Sequence, residues 1–302
     1  MRSIIVLLFI FVLSACSTGT LAVKESNDWF STGGASDRDF TQGIEVEYRT
    51  RDGDNFLSDL SSNLPAFSLN DPKVDSSSLI VGQRIYTPED ISATELQQDD
   101  NPYAGWLYGE LVRHSQVEEV SLDTRLSVGV VGPSAQGEEA QSWFHELCDC
   151  QHPNGWSNQL KDEPAIMLSH KRKWTTGSGE VYNCKWDSHT TLFYRVGNVF
   201  TDATYTETYR LGNSLDVDGF SYYTFSRFAT NFVAHNIFYD GNTYQDSHSV
   251  DKENIIVSVI PGIHIGYNGF GIDISFVIHS KNYEEQDDFI NSYGLITLGY
   301  VS

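Results

Sequence analysis

Gln141 and His145, within Gln141-Ser142-Trp143-Phe144-His145-Glu146-Leu147-Cys148, stand four residues apart. On a helix that spacing puts an amide and an imidazole on one face, one turn apart. Imidazole is the side chain best suited to general-base work near neutral pH, and the Gln141 amide can orient it. Trp143 and Leu147 share a second face with Ala140, so the stretch reads as a short amphipathic helix. A second cluster, Glu25-Ser26-Asn27-Asp28-Trp29, sets the amide oxygen of Asn27 beside the Asp28 carboxylate. Hard oxygen donors of this kind suit Ca²⁺, although an Asx turn closing a strand uses the same residues. Asp37-Arg38-Asp39-Phe40-Thr41-Gln42-Gly43 leads into the next run, so a hairpin would bring Thr41 to the rim that holds Asn27 and Asp28. No Gly-x-Ser-x-Gly elbow occurs, nor a His-Glu-x-x-His or Cys-x-x-Cys pair, so nucleophilic-elbow and zinc chemistry have no anchor.

The elements that must carry these residues have a period of two. In Ile44-Glu45-Val46-Glu47-Tyr48-Arg49 the even positions are apolar and the odd ones charged, and Phe270-Gly271-Ile272-Asp273-Ile274-Ser275-Phe276 holds the alternation longest. Such a strand has one apolar and one polar face. In a soluble sandwich the apolar face would be the core. Three features favour a barrel that faces lipid instead: the strands are long, turn signals such as Tyr267-Asn268-Gly269 separate strong runs, and the 16 Tyr, 17 Phe and 6 Trp fall at strand ends as well as centres. The reading is all-β: a transmembrane antiparallel β-barrel of about a dozen strands, closed so that no edge is left unpaired, with a short loop helix over its rim. Three segments break the alternation and read as loops: Phe56 to Val74, Thr87 to Pro102, and Gly132 to Glu163, which holds Gln141 and His145.

Met1-Arg2, the apolar run from Ile4 to Leu13 and the small residues that follow describe a secretory signal over residues 1–17. Leu13-Ser14-Ala15-Cys16 also fits a lipobox ending at Cys16. Residues 18–302 then read as a single domain, with no repeat or linker. A net charge of −22 argues against nucleic acid and suits either plain solubility or a surface that handles divalent cations. Beyond Cys16 the cysteines are Cys148, Cys150 and Cys184. Export favours a disulfide, and Cys148 or Cys150 with Cys184 would tie two loops together; the sequence does not choose the pair.

An ordered set of short motifs carries a resemblance. It runs from Asn27-Asp28 through Phe40-Thr41-Gln42-Gly43, Gly82-Gln83-Arg84-Ile85-Tyr86-Thr87-Pro88 and Asn101-Pro102-Tyr103-Ala104-Gly105-Trp106. It continues through Gly129-Val130-Val131-Gly132-Pro133, Gln141 to His145, Gly155-Trp156-Ser157-Asn158-Gln159-Leu160 and Asn236-Ile237-Phe238-Tyr239-Asp240-Gly241-Asn242. In these the chain resembles the outer-membrane lipid A 3′-O-deacylases, the LpxR-type family. The resemblance implies a twelve-stranded barrel in the bacterial outer membrane, with the active site between barrel wall and loop helix at the outer-leaflet end. It implies Ca²⁺-dependent hydrolysis of an ester-linked acyl chain of lipid A in lipopolysaccharide. By motif, His145 would activate water and Gln141 would support it. Asn27, Asp28 and Thr41 would surround the metal and the reacting carbonyl.

The chain departs from the family at several positions. Gln42 stands where the family often has Asn, and Asn101 where it often has Arg. Ile91 to Asp100 holds Glu95, Asp99 and Asp100 but no base where some members carry a Lys/Arg pair, which leaves lipid A phosphates to Arg84 or other residues. A family acidic residue shortly after the His is replaced at about Gln151. Two other functions share these features: a structural or adhesive barrel without activity, and a phospholipase acting on glycerophospholipids.

Overall fold

In a computed structural model of the chain, residues 19–27, 39–50, 56–68, 74–215, 219–286 and 289–301 are described. The signal segment and Asp28 lie outside them, and for residues 39–41 only the backbone is described. Twelve strands follow one another: β1 (Gly19–Asn27), β2 (Asp39–Thr50), β3 (Ser76–Thr87), β4 (Ala104–Val117), β5 (Val120–Val131), β6 (Glu163–Val181), β7 (Cys184–Gly197), β8 (Phe200–Gly212), β9 (Phe220–Asn236), β10 (Ile255–Tyr267), β11 (Phe270–Ser280) and β12 (Ile290–Val301). Each pairs antiparallel with its sequence neighbours, and β12 returns to β1 in the register Val23↔Leu298, which closes the barrel. The closure expected from the alternation is what forms, with no edge left over.

The alternation assigns the two faces as expected. Ile44, Val128, Ile166, Leu192, Val257 and Leu298 are exposed on the outer wall. Exposed apolar residues in this number, on every part of the wall, require a lipid environment. Their neighbours point inward and pair: Arg195 grips Asp202 with both Nε (2.8 Å) and Nη2, and Arg210 grips Asp187 in the same way. Ser78 Oγ lies 2.7 Å from His114 Nε2, whose Nδ1 is 2.8 Å from Asp123 Oδ1. That order of groups is the order of a hydrolase triad, but Ser78 has no exposed surface and also donates to Glu47 at 2.5 Å. A substrate cannot reach it, so the arrangement is lumenal packing.

At one end of the barrel the turns between β4 and β5, β6 and β7, and β10 and β11 are two residues long. The last is Asn268-Gly269, with φ of 47° and 86°, the left-handed pair that a tight hairpin of this twist demands. The connections β3–β4, β5–β6 and β9–β10 are long and all lie at the opposite end.

The Phe56–Val74 segment departs from a plain loop. It contains a helix, α1 (Phe56–Ser61), laid against the outer wall at the short-turn end. There the wall is locally polar. Ser61 Oγ meets Ser77 Oγ at 2.7 Å, Arg113 Nη1 donates to Leu64 O at 2.8 Å, and the Phe67 ring lies 5.0 Å from that of His170. Ser77, Arg113 and His170 occupy outward positions and form a lateral row with Thr124 between them. The serines of α1 therefore face the protein, while Phe56, 76% exposed, and Leu60 face away. The usual amphipathic order is inverted because the strap hides polar wall from lipid and offers lipid an apolar replacement. Arg113→Met should leave the Leu64 carbonyl without its charged donor, a loss of about 1.5–3 kcal/mol. Urea unfolding in micelles should register it, with faster proteolysis between residues 51 and 75; an unchanged midpoint would show that the strap contributes nothing.

Candidate functional site

One row of paired residues crosses the outer wall near the long-loop end: Asn27 opposite Gln42, Gln42 opposite Ile85, and Ile85 opposite Gly105. Asn27 is the last residue of β1 and is buried, pointing away from Lys24 and Ser26, which line the lumen. The expected β1–β2 hairpin thus forms, and its register brings Thr41 to the rim beside Asn27. Thr41 falls where the β2–β3 register shifts, between Phe40 and Gln42. The irregularity does not end the strand, and such bulges are common beside active sites.

Over this row lies α2 (Gly137–Cys148), the helix anticipated from the Gln141–His145 spacing. Two glycines let it sit directly on the strands. A Cβ on Gly105 would stand 3.1 Å from the Gly137 nitrogen, and one on Gly137 would fall 2.6 Å from the Trp156 ring. Gln83 fastens the approach to α2 by donating to Ala135 O at 2.7 Å. Trp156, Tyr103, Ile91 and Ile85 form a buried apolar cluster between helix and wall, with Ala140 against it. Ala140 is accordingly separated from Trp143 and Leu147, which are 47% and 70% exposed rather than packed. A Gly105→Val substitution should push α2 off the wall while the twelve strands still close. A displacement of about 1 Å can cost ~10²-fold in rate, so activity should fall by about that factor with unchanged barrel folding; full activity would mean that helix and wall need not touch.

Gln141 and His145 both face inward and are buried, but the amide does not orient the imidazole. Gln141 Oε1 accepts from the Trp156 indole at 2.9 Å, and its Nε2 has no partner among the described residues. The ring of His145 is set instead by Nδ1, which donates to the backbone carbonyl of Gln151. A carbonyl carries no proton, so the Nδ1 position is the protonated one and Nε2 of the neutral ring is the basic nitrogen. Local chain reversal makes this contact. Asp149 caps α2 with a left-handed φ of 56°, and the Cys150 amide returns to His145 O at 2.9 Å. Cys148 and Cys150 are disulfide-bonded across Asp149, and Cys184 on β7 is free. Neither pairing with Cys184 forms, because Cys184 starts β7 at the short-turn end, the opposite end from α2.

Among the described residues no group of three or more His, Cys, Asp or Glu could hold a metal. The donor chemistry of the rim still suits a hard cation. Asn27 brings a buried amide oxygen, and the backbone of Thr41 stands across the hairpin from it; Asp28, which would add charge, lies outside the described residues. Arg84 does not belong to this site: it points into the lumen, bonded to Glu45 at 2.7 Å and stacked on Trp106 at 5.5 Å.

The family model of outer membrane protein LpxR matches residues 3–301. Among solved structures, LpxR from Salmonella typhimurium superposes with a TM-score of 0.76 at 18% identity, covering 94% of this chain and 100% of that one. At that identity the likeness is one of fold. The β domain of the Bordetella autotransporter BrkA matches with a TM-score of 0.43 at 12% identity, over 94% of this chain and 99% of that one. No curated protein matches the chain.

Proposed function

Because the chain belongs to the family of outer membrane protein LpxR, we propose that it is an outer-membrane esterase that removes the 3′-linked acyloxyacyl chain from lipid A. The observation that carries this reading is the imidazole of His145, buried between α2 and the wall with its proton fixed on Nδ1 by the Gln151 carbonyl. In this reading Nε2 takes a proton from water as the water oxygen bonds to the ester carbonyl carbon. The same proton returns from the imidazolium to the sugar oxygen as the C–O bond breaks, leaving a free acid and the sugar 3′-hydroxyl. No covalent acyl-enzyme is required, in keeping with a sequence that carries no Gly-x-Ser-x-Gly elbow.

Asn27, Asp28 and Thr41 are the residues that would hold Ca²⁺. Bound there, the ion would supply positive charge that polarises the ester carbonyl and stabilises charge developing on its oxygen. The chain's own residues do the rest. Trp143 and Leu147, exposed on α2, offer acyl chains an apolar face. The Trp156 cluster keeps bulk water from the inner face of the helix. The end that carries α2, opposite the two-residue turns, is the extracellular end of the barrel, where the lipopolysaccharide leaflet lies.

Purified protein in non-ionic detergent, given lipid A and a diacyl glycerophospholipid side by side, tests the substrate class. Release of the 3′ chain from lipid A alone supports the reading. Cleavage of the glycerophospholipid instead would make the protein a phospholipase, and cleavage of neither with Ca²⁺ present would leave a barrel without this activity.

A further inference from the structure

The lumen reverses the charge of the chain. Against a net charge of −22, two adjoining lumenal cavities of ≈470 Å³ and ≈390 Å³ are lined by Lys24, Arg84, Arg125, Lys171, Arg195 and Arg227, facing only Glu45, Glu110 and Asp202. Five of the six cations are matched. Glu45 binds Arg84 at 2.7 Å and Lys24 at 3.4 Å, Asp202 holds Arg195, Glu110 lies 3.4 Å from Arg125, and Lys171 reaches Asp123 at 2.5 Å. Arg227 is the exception. Among the described residues no carboxylate lies within salt-bridge distance of it, and its guanidinium rests over the Phe225 ring at 4.4 Å. Asp273, on the adjoining wall, acts on Arg227 only from beyond contact distance and is itself hydrogen-bonded to His264 Nδ1 at 2.7 Å.

An unmatched guanidinium in a walled cavity is costly unless an anion completes it. Its planar fork suits a phosphate, which it can bind through two parallel hydrogen bonds. Thr204 and Thr206 line both cavities with Arg227; Thr206 offers a hydroxyl donor, whereas the Thr204 hydroxyl donates to Asn231 Oδ1 at 3.0 Å. The upper cavity rises to Asn236, Tyr239 and Asn282, where the long loops begin, so the approach is from the extracellular side. Cavities of this size take a phosphorylated sugar as readily as a bare ion.

We propose that the upper lumen is an anion chamber that binds a phosphate group, free or carried on a sugar, with Arg227 as its principal ligand. It is separate from the ester site, since Asn27 and α2 lie on the opposite face of the wall. The inference does not depend on the esterase reading.

Titration calorimetry in maltoside micelles tests it, with inorganic phosphate and glucose 6-phosphate as probes and glucose as control. Saturable binding of both phosphates, but not of glucose, is expected for the native protein and for the His145→Ala variant alike. Arg227→Gln should weaken binding tenfold or more, and Arg227→Lys, which keeps the charge without the fork, should weaken it less. Heat-modifiable migration of Arg227→Gln should match that of the native protein, which shows that the variant folds. Added lipopolysaccharide then distinguishes the sources: displacement of the probe assigns the chamber to a lipid-borne phosphate, and persistence assigns it to a free solute. No saturable binding by the native protein, or equal affinity in Arg227→Gln, would overturn the proposal.

Discussion

His145→Ala is expected to lower the rate of lipid A deacylation by about 10²–10⁴-fold, the range a positioned general base supplies. The barrel should be unaffected. His145 sits on α2, outside a sheet of twelve strands whose closure runs through β1 and β12 and involves no residue of that helix. Heat-modifiable migration and unfolding should therefore match the native protein, separating loss of chemistry from loss of fold. Gln141→Ala makes the informative contrast. Its amide holds the Trp156 indole, not the imidazole, so this change should loosen α2 and lower activity without moving the pH at which activity half-develops. If Gln141→Ala displaced that pH while His145→Ala left the rate intact, the assignment of the base would be wrong.

The second large effect is removal of divalent cation. Chelation with EGTA should abolish activity, and Ca²⁺ should restore it. Polarisation of a carbonyl by a metal contributes several kcal/mol, so the loss should reach about 10³-fold or more. Asp28→Ala should reproduce the chelated state and resist rescue at Ca²⁺ concentrations that saturate the native protein. Thr41→Ala, which removes a neutral donor, should shift the Ca²⁺ requirement upward and cost less at saturation. Undiminished hydrolysis in chelator would remove the metal from the account and leave Asn27 and Asp28 as a strand-closing turn.

Much of this architecture is written in local pattern. The alternation at Ile44–Arg49 and Phe270–Phe276 specifies strands with one face for lipid, and the observed register honours it. The β1–β2 hairpin and the helical turn at Gln141–His145 also follow from spacing alone. What escaped has physical reasons. The group that orients His145 is a backbone carbonyl, at Gln151, and every residue type carries one. The Trp156 indole that takes the Gln141 amide is a partner chosen by how two loops pack, which no single-chain periodicity encodes. The Cys148–Cys150 bond depends on a left-handed turn at Asp149, whereas a longer-range pairing looks better from sequence because it closes a larger loop. The α1 strap was hidden for a different reason. Its serines and proline read as a loop, and its amphipathic order makes sense only against a polar patch of outer wall that the sequence supplies from β3, β4 and β6.

Whether water activated by His145 removes the 3′ acyloxyacyl chain is read by mass spectrometry of lipid A from cells producing the native chain and, in parallel, its His145→Ala variant. Loss of the 3′-acyloxyacyl mass is expected with the native chain only, at matched levels of folded barrel. Equal loss with both proteins would contradict it.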